Sequence, residues 1–228
     1  MSKLFFIPSA IGTLIESRGF IDKLLIYNII NNYIQIRADI VDIDPLTVAS
    51  ELEARDTTLN GDIDGLQLLT WIERIDFANT QVDGNVSSLS PLSQNLTYLD
   101  LSGNLTIVGD LVGLNPLTQL RSLYLQGSSV SGDINGLTVA GTGDNNLSFL
   151  ERIDLSNTSV DGDLDDWSSL SSLIEVKLDA TSVEGSLAGL QFAINLEKLD
   201  VSGLANLTGD ISLLSSATGL KEFRANGT

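Results

Sequence analysis

Residues 153–167, IDLSNTSVDGDLDDW, combine alternating apolar and polar side chains with a glycine that is surrounded by aspartates. Related stretches begin at Leu52, Ile72, Leu96, Leu120, Leu150, Leu173, Leu196 and Leu220. Measured from Ala49, the repeats are 23, 24, 24, 30, 23, 23 and 24 residues long, and an eighth begins. The quoted stretch is therefore predicted to be one turn of a repeating structure rather than an isolated site.

The alternation predicts that each repeat contains one short strand with an apolar face. Ile153 and Leu155 are expected to point into the protein, whereas Arg152 and Asp154 are expected to point outward. A single repeat cannot bury its apolar face, but stacked repeats build a continuous core and a parallel sheet. Connecting segments such as DDWSSLSS are expected on the other face of the stack.

The repeats resemble those of the leucine-rich repeat family, whose pattern LxxLxLxxNxL is matched nearly throughout residues 49–228. The V-x-G-x-[LI] continuation resembles plant-type and some bacterial members of the family. We expect Asn104 and Asn206 to keep the asparagine of the pattern, and a hydroxyl group replaces it elsewhere, which can also bond to the backbone. The replacements are Thr57, Thr80, Ser128, Thr158, Thr181 and Thr228.

The resemblance implies an α/β fold, a right-handed solenoid with a parallel β-sheet on its concave face and irregular or short helical convex segments. Residues 49–228 would form seven full repeats and the start of an eighth, and residues 1–48 an N-terminal cap or anchor. Within that cap, KLLIYNII and YIQIRADIV flank two asparagines and predict a β-hairpin. An alternative places Ile34, Ile36 and Val41 in a degenerate extra repeat.

A glycine recurs at one position of every full repeat, where the chain must turn tightly or neighbouring backbones approach closely. These glycines are Gly61, Gly84, Gly109, Gly132, Gly162, Gly185 and Gly209. The next position is usually aspartate, at Asp62, Asp110, Asp133, Asp163 and Asp210, with Asn85 and Ser186 in the other two repeats. We interpret this ladder as turn chemistry and predict no metal site. The alternative is calcium, because carboxylates stacked about 4.8 Å apart could share cations.

The composition limits the chemistry of the protein. The 228 residues are 43% hydrophobic and include neither cysteine nor histidine, which removes disulfides, Ser-His-Asp and Cys-His nucleophilic sites and the usual zinc sites. We predict no cofactor. Thirty acidic against twelve basic residues give a net charge of −18, which argues against nucleic acid as a partner. No apolar stretch approaches the ~20 residues of a membrane helix, so we predict no membrane insertion.

The outward positions of the strands form two columns across the concave face. The first is Glu51, Arg74, Tyr98, Ser122, Arg152, Glu175, Lys198 and Glu222, and the second is Glu53, Asp76, Asp100, Tyr124, Asp154, Lys177, Asp200 and Arg224. We expect ion pairs at Arg74–Asp76, Arg152–Asp154 and Lys198–Asp200. In the N-terminal half, Glu53, Asp76 and Asp100 are consecutive like charges along the second column. They lie beside tyrosines, which are favoured interface anchors along with arginine. The predicted binding residues are Glu53, Arg74, Asp76, Tyr98, Asp100, Arg121 and Tyr124.

Three functions are compatible with these features. The leading hypothesis is a non-catalytic recognition scaffold that binds a protein or glycan through the concave face, as the resemblance implies. The alternative is a structural or surface-decorating subunit, for example attached to a virion, with the solenoid as spacer and the N-terminal segment as anchor. A carboxylate-based enzyme acting on polysaccharide is a third, less favoured hypothesis. A cell-surface, extracellular or virion-associated location is favoured over the cytoplasm.

The C-terminal end of the repeats is a predicted assembly surface. Leu220, Phe223 and Ala225 belong to the last repeat that begins, and Thr228 takes the Thr/Asn position of that repeat. We expect another chain, either a second copy or a larger assembly, to cover this edge, because solenoids avoid an exposed apolar end.

Overall fold

The computed structural model describes residues 24–25, 50–138 and 147–228 of the chain. Its strands form two parallel sheets, one of nine strands and one of seven. The nine-stranded sheet, here called the concave sheet, consists of β1 (Leu24–Leu25), β2 (Glu51–Glu53), β4 (Arg74–Asp76), β6 (Tyr98–Asp100), β8 (Ser122–Tyr124), β10 (Arg152–Asp154), β12 (Glu175–Lys177), β14 (Lys198–Asp200) and β16 (Glu222–Arg224).

The seven-stranded sheet, here called the second sheet, was not predicted from the sequence. It consists of β3 (Asn60–Asp62), β5 (Gln81–Asn85), β7 (Ile107–Asp110), β9 (Ser129–Asp133), β11 (Ser159–Asp163), β13 (Ser182–Ser186) and β15 (Leu207–Thr208). Four of these strands, β5, β9, β11 and β13, contain a V-x-G-[DNS] segment in which the valine is buried and the residues on either side of it are exposed. The other three repeats have Leu59, Ile107 or Leu207 in place of the valine. The same period-two alternation that predicts the concave strands therefore operates twice in each repeat.

Each full repeat continues from the second sheet into a short 3₁₀ helix. The seven helices are Ile63–Leu68, Val86–Leu92, Leu111–Leu114, Ile134–Leu137, Leu164–Ser169, Leu187–Leu190 and Ile211–Leu214. The solenoid with short helical convex segments is the architecture expected from the sequence.

The core is a continuous stack of apolar side chains between the two sheets. Ile153 and Leu155 are fully buried, as predicted, and Ile153 is in register with Leu123 on one side and Val176 on the other. Trp167, in the connecting segment, is also buried, and its indole Nε1 donates a hydrogen bond to the Ile134 carbonyl at 3.1 Å. Stacking of this kind buries apolar surface that one repeat alone would expose.

The aspartate ladder caps the 3₁₀ helices. Asp163 Oδ1 accepts a hydrogen bond from the Asp165 backbone N–H at 2.9 Å. The same side-chain-to-backbone bond is made by Asp62, Asn85, Asp110, Asp133, Ser186 and Asp210. The interpretation of the ladder as turn chemistry is confirmed, because one oxygen of each side chain satisfies a backbone donor at a helix start.

The hydroxyl groups of the Thr/Ser positions also bond to the backbone, as expected. Thr158 Oγ1 donates to the Leu155 carbonyl at 2.6 Å, and Asn104 Nδ2 donates to the carbonyls of Phe77 and Leu101. The expectation that Asn206 keeps the pattern was wrong. Leu204 takes the buried position in that repeat, and Asn206 is exposed two residues later.

The N-terminal segment is described only at β1. Leu24 and Leu25 pair in parallel with Leu52 and Glu53, which adds one strand to the concave sheet before the first clear repeat. The predicted hairpin and the alternative extra repeat at Ile34, Ile36 and Val41 otherwise lie outside the described residues. The division of the chain at residues 48 and 49 stays a prediction. None of the helices in the described ranges combines the length and the apolarity that a membrane crossing requires.

Candidate functional site on the concave sheet

The register of the concave sheet confirms the two predicted columns of outward residues. Glu53, Asp76, Asp100 and Tyr124 are successive neighbours across β2, β4, β6 and β8. In the adjacent column, Arg74 pairs with Tyr98. Six of the seven predicted binding residues therefore lie on neighbouring strands, and we call this group the concave patch.

Two carboxylates of the concave patch are almost completely buried although they are on the outward face. The exposed fractions are 5% for Asp76 and 3% for Asp100. Asp100 Oδ1 accepts hydrogen bonds from the Ser102 backbone N–H at 3.0 Å and from the Ser102 hydroxyl at 2.6 Å. This local turn fixes the carboxylate and leaves Oδ2 for partners from neighbouring repeats.

Arg55 neutralises much of the charge of these acids and was missed by the sequence analysis. Its Nη2 contacts Asp100 Oδ2 and lies 3.1 Å from Asp76 Oδ2. Arg74 Nε donates to Glu53 Oε1 at 2.8 Å, and Arg74 Nη2 lies 3.1 Å from Asp76 Oδ2. All three acids of the run are therefore paired with arginine, because the long Arg55 side chain reaches across two strands.

A sequence signal for Arg55 existed. It lies two residues after its strand, at a position that is occupied in later repeats by Ala78, Ser102, Gln126, Ser156, Asp179, Ser202 and Asn226. Arg55 is the only cation in that column, and it is in the repeat that adjoins the run of acids.

The two tyrosines form an aromatic pair next to the acids. The ring centroids of Tyr98 and Tyr124 are 5.6 Å apart, and the rings are inclined by 50°. The Arg74 guanidinium carbon lies 3.4 Å from the centroid of Tyr98, which is a close cation–π contact. Both tyrosines are half-buried, so each presents part of its ring to solvent.

Arg121 does not contact the concave patch. It immediately precedes β8, and its Nη1 donates to Glu151 Oε1 at 2.7 Å, while its guanidinium lies 5.6 Å from the Phe149 ring centroid. These contacts place Arg121 at the rim of the concave sheet, because the residue before a strand does not share the outward direction of the columns.

The pKa shifts of the acid and tyrosine side chains in the concave patch arise first from burial and then from neighbouring charge. Burial, followed by the charge of Asp100, raises the pKa of Asp76. Burial, followed by Asp100 and Asp76, raises the pKa of Tyr98, and burial together with Glu175 raises that of Tyr124. For Arg55, burial acts against the charge, but Asp100 and Asp76 outweigh it and raise the pKa above its ordinary value. All four shifts have the direction that neighbouring negative charge produces.

The C-terminal half of the concave sheet is a network of ion pairs. Lys177 Nζ lies 3.2 Å from Asp154 Oδ2 and 3.0 Å from Glu175 Oε1. The expected pair Arg74–Asp76 is confirmed, whereas the expected partners of Arg152 and Lys198 were wrong. Their acid partners are Glu151 for Arg152, at 3.3 Å, and Glu175 for Lys198, at 3.8 Å. The difference arises because a flexible cation can reach an adjacent residue, as Arg152 does, or an acid on a neighbouring strand, as Lys198 does, as easily as the acid two residues along its own strand.

The described part of the chain holds no group of three or more acidic side chains that could bind a metal ion. One oxygen of each carboxylate that caps a helix accepts a backbone hydrogen bond, and Asp76 Oδ2 is held by arginine. The concave patch therefore offers an aromatic and charged contact surface, with arginine, tyrosine and carboxylate side chains held in fixed positions.

Comparison with known proteins supports the fold. Neither a protein-family model nor a curated protein matches the chain by sequence. Among solved structures, the ectodomain of the Arabidopsis receptor kinase HAESA, in complex with an N-terminally extended IDA peptide hormone, is 26% identical with a TM-score of 0.66. The match covers 79% of this chain and 30% of the HAESA chain, so this chain spans less than a third of that receptor structure.

Two further structures are similar over most of this chain. Internalin C2 from Listeria monocytogenes is 23% identical with a TM-score of 0.54, and the match covers 82% of this chain and 84% of the internalin. A plant ice-binding protein is 20% identical with a TM-score of 0.59, and the match covers 82% of this chain and 66% of the other. The repeated sequence pattern, the stacked parallel sheets and these structural neighbours show that the chain has the fold of a leucine-rich repeat solenoid.

Proposed function

We propose that the protein is a non-catalytic recognition scaffold that binds a protein or glycan partner through the concave patch. The observation that carries this proposal is the pair of partly exposed tyrosines, one of which is stacked with Arg74, on neighbouring strands of a parallel sheet. Tyrosine and arginine are enriched among the residues that dominate binding energy in interfaces. Because Arg55, Arg74 and the buried acids hold one another in place, a partner would bind a preorganised surface.

The charge of Asp76 adds support. Its raised pKa means that the surroundings of the carboxylate disfavour the ionised form despite two arginine partners. Charged groups that are retained against such a cost cluster at functional sites. The C-terminal half of the sheet has no aromatic side chain in its outward columns, so the concave patch is the better candidate.

The structural neighbours agree with this class of function. HAESA was solved with a peptide hormone, and it is the ectodomain of a receptor. By analogy, a peptide or protein is the favoured partner of this chain, and a location at the cell surface or outside the cell is favoured over the cytoplasm. The sequence contains no histidine or cysteine, and the turn aspartates already satisfy backbone donors, so we propose no enzymatic activity.

A double substitution tests the scaffold function. Tyr98→Ala with Tyr124→Ala should weaken binding to partners recovered from an interaction screen by about 2 kcal/mol, or roughly 30-fold in Kd. Lys198→Ala with Arg224→Ala is the matched control on the C-terminal half of the same sheet. Calorimetry on folded variants would measure both affinities. An unchanged Kd in the tyrosine variant, or an equal loss in the control, would contradict the proposal.

The alternative, a structural subunit, depends on the end of the concave sheet at β16. Among the described strands, β16 has a single neighbour, β14, and Leu220, Phe223 and Ala225 are only partly buried against the core. We propose that another chain, a second copy or a larger assembly, contacts this edge, because an unpaired strand offers free backbone groups.

Mass in solution tests this assembly edge. If a second copy covers it, Phe223→Asp should shift the protein from an oligomer to a monomer, because a charge would be buried in the contact. Thr218→Asp, at an exposed position of the preceding turn, should leave the mass unchanged. Sedimentation would measure both. A monomeric wild-type protein whose residues 211–228 contact no partner in any assembled state would contradict the proposal.

A further inference from the structure

We propose that the partner is a peptide or protein segment that places an arginine or lysine side chain against the Tyr124 ring, beside the fixed carboxylates of Asp100 and Asp154. This inference rests on the proposed function, and it adds the chemistry of the group that the concave patch recognises.

The position of Tyr124 in the sheet is the first argument. Its strand lies between β6 and β10, and its direct neighbours in the column are Asp100 and Asp154. Both carboxylates are nearly buried, with exposed fractions of 3% and 6%, and both are fixed by serine hydroxyls at 2.6 Å and 2.7 Å. The two neighbouring strands, each about 4.8 Å away, therefore carry a fixed carboxylate on either side of the Tyr124 position, which preorganises its electrostatic environment.

The second argument is an internal example of the same contact. Arg74 already lies over the Tyr98 ring at 3.4 Å, beside the carboxylates of Glu53 and Asp76. None of the lysines and arginines that the structure describes covers Tyr124 in the same way. The face of a tyrosine ring attracts cations, and arginine is the side chain that makes this contact most often. A ligand cation at Tyr124 would repeat the stacking that the protein makes at Tyr98.

The third argument is the balance of charge. Glu53, Asp76 and Asp100 contribute three negative charges, whereas Arg55 and Arg74 contribute two positive charges. One negative charge therefore remains at the concave patch. Around Tyr124, Asp154 and Glu175 are balanced by Lys177 and Arg152, so this excess is not cancelled there. An acidic ligand would be repelled, and a neutral sugar would gain nothing from the potential.

Short peptides test the proposal directly. Glycine–serine peptides with central arginines, lysines or glutamates, and a neutral oligosaccharide, would be titrated to millimolar concentration while backbone amide signals are followed by NMR. The arginine and lysine peptides should shift the signals of β6, β8 and β10 saturably, and the glutamate peptide should not. Because a net charge of −18 attracts cations everywhere, the signals of β9 and β11 in the second sheet are the internal control.

Substitutions on both sides of the contact sharpen this test. Tyr124→Leu should raise the Kd of the arginine peptide about tenfold. Tyr124→Phe keeps the ring, so its Kd should stay within about twofold of the wild-type value. Citrulline in place of the peptide arginines removes the charge without changing the protein. It should weaken binding by the same factor as Tyr124→Leu. Asp161→Asn, on the exposed second sheet, should leave the affinity unchanged.

The outcomes separate this inference from the proposed function. Equal shifts in the second sheet, equal binding of the glutamate or citrulline peptide, or an unchanged affinity in Tyr124→Leu would overturn the inference. If only the oligosaccharide shifts the signals of β6 and β8, the concave patch is a recognition site but its ligand is not cationic. If the partners from the interaction screen are insensitive to both tyrosines, the proposed function itself is wrong.

Discussion

Asp76 is a carboxylate whose surroundings both attract and disfavour its charge. Arg55 and Arg74 approach it to about 3 Å, yet burial and the neighbouring Asp100 raise its pKa above the ordinary value of 3.8. Because the pKa is higher in the folded than in the unfolded protein, the folded state binds more protons over this range. The contribution of Asp76 to stability is therefore largest below pH 3.8 and decreases as the pH rises through the shifted pKa.

We predict that Asp76→Asn is at least as stable as the wild type near neutral pH, because the amide removes the cost of the buried charge. The advantage should shrink on acidification below pH 3.8, where the wild-type carboxyl group is also neutral. Denaturant unfolding near neutral pH and below pH 3.8 would measure the difference in the free energy of unfolding between variant and wild type. Asp161→Asn, which removes one charge at an exposed position, is the control. A clear loss of stability in Asp76→Asn near neutral pH would mean that the arginine pairs outweigh burial.

At the scale of elements, the helix caps and the glycines form one device that joins neighbouring repeats. Gly185 has a φ of 99°, and a Cβ at this position would overlap the Asp163 carboxylate of the preceding repeat and approach the Leu164 nitrogen to 3.0 Å. Gly84, Gly109, Gly132 and Gly162 make the same approach to the cap of the repeat before them. The glycine of one repeat is therefore required by the aspartate or asparagine of the previous one.

We predict that Gly185→Ala lowers the free energy of unfolding by about 2–3 kcal/mol, because a positive φ is strained for alanine and the Asp163 cap must move. Gly219→Ala is the control, since a Cβ there meets nothing within 4 Å. Denaturant unfolding would measure both. Equal stability of the two variants would show that the neighbouring cap adapts without cost.

At the scale of the whole molecule, charge is segregated between the two sheets. The eight lysines and arginines of residues 50–138 and 147–228 all lie in a concave strand or within two residues of one. Exposed acids cover the second sheet and the 3₁₀ helices that follow it, and no described cation lies there. These acids are Asp62, Asp64, Asp83, Asp110, Asp133, Asp161, Asp163, Asp165, Asp166, Glu184 and Asp210.

We predict that sodium chloride raises the melting temperature by several degrees between about 0.02 and 0.5 M, because screening relieves repulsion among these acids. EDTA should leave the melting temperature unchanged, and calcium should stabilise no more than sodium chloride of equal ionic strength. Calorimetric scans would measure all three. A rise that only calcium produces would show a bound ion and would mean that turn chemistry does not fully explain the aspartate ladder.

The sequence by itself determined the repeat length, the buried positions, the order of the outward columns and the turn function of the aspartates. These features follow from local periodicity, since the inward direction of Ile153 or the cap made by Asp163 depends on residues within one repeat. Repetition then multiplies a weak local signal into a clear prediction of the fold, including the register that sets Tyr98 beside Arg74.

Only the tertiary structure decided which charges meet. Arg55 reaches two repeats along to Asp100, Arg121 turns away to Glu151 at the rim, and Arg152 selects an acid other than the expected Asp154. Long side chains have many rotamers, so the alternation of residues along one strand does not fix which acid each cation meets. The second sheet was decided in the same way, because its strands become a sheet only when stacked repeats bring them to hydrogen-bonding distance.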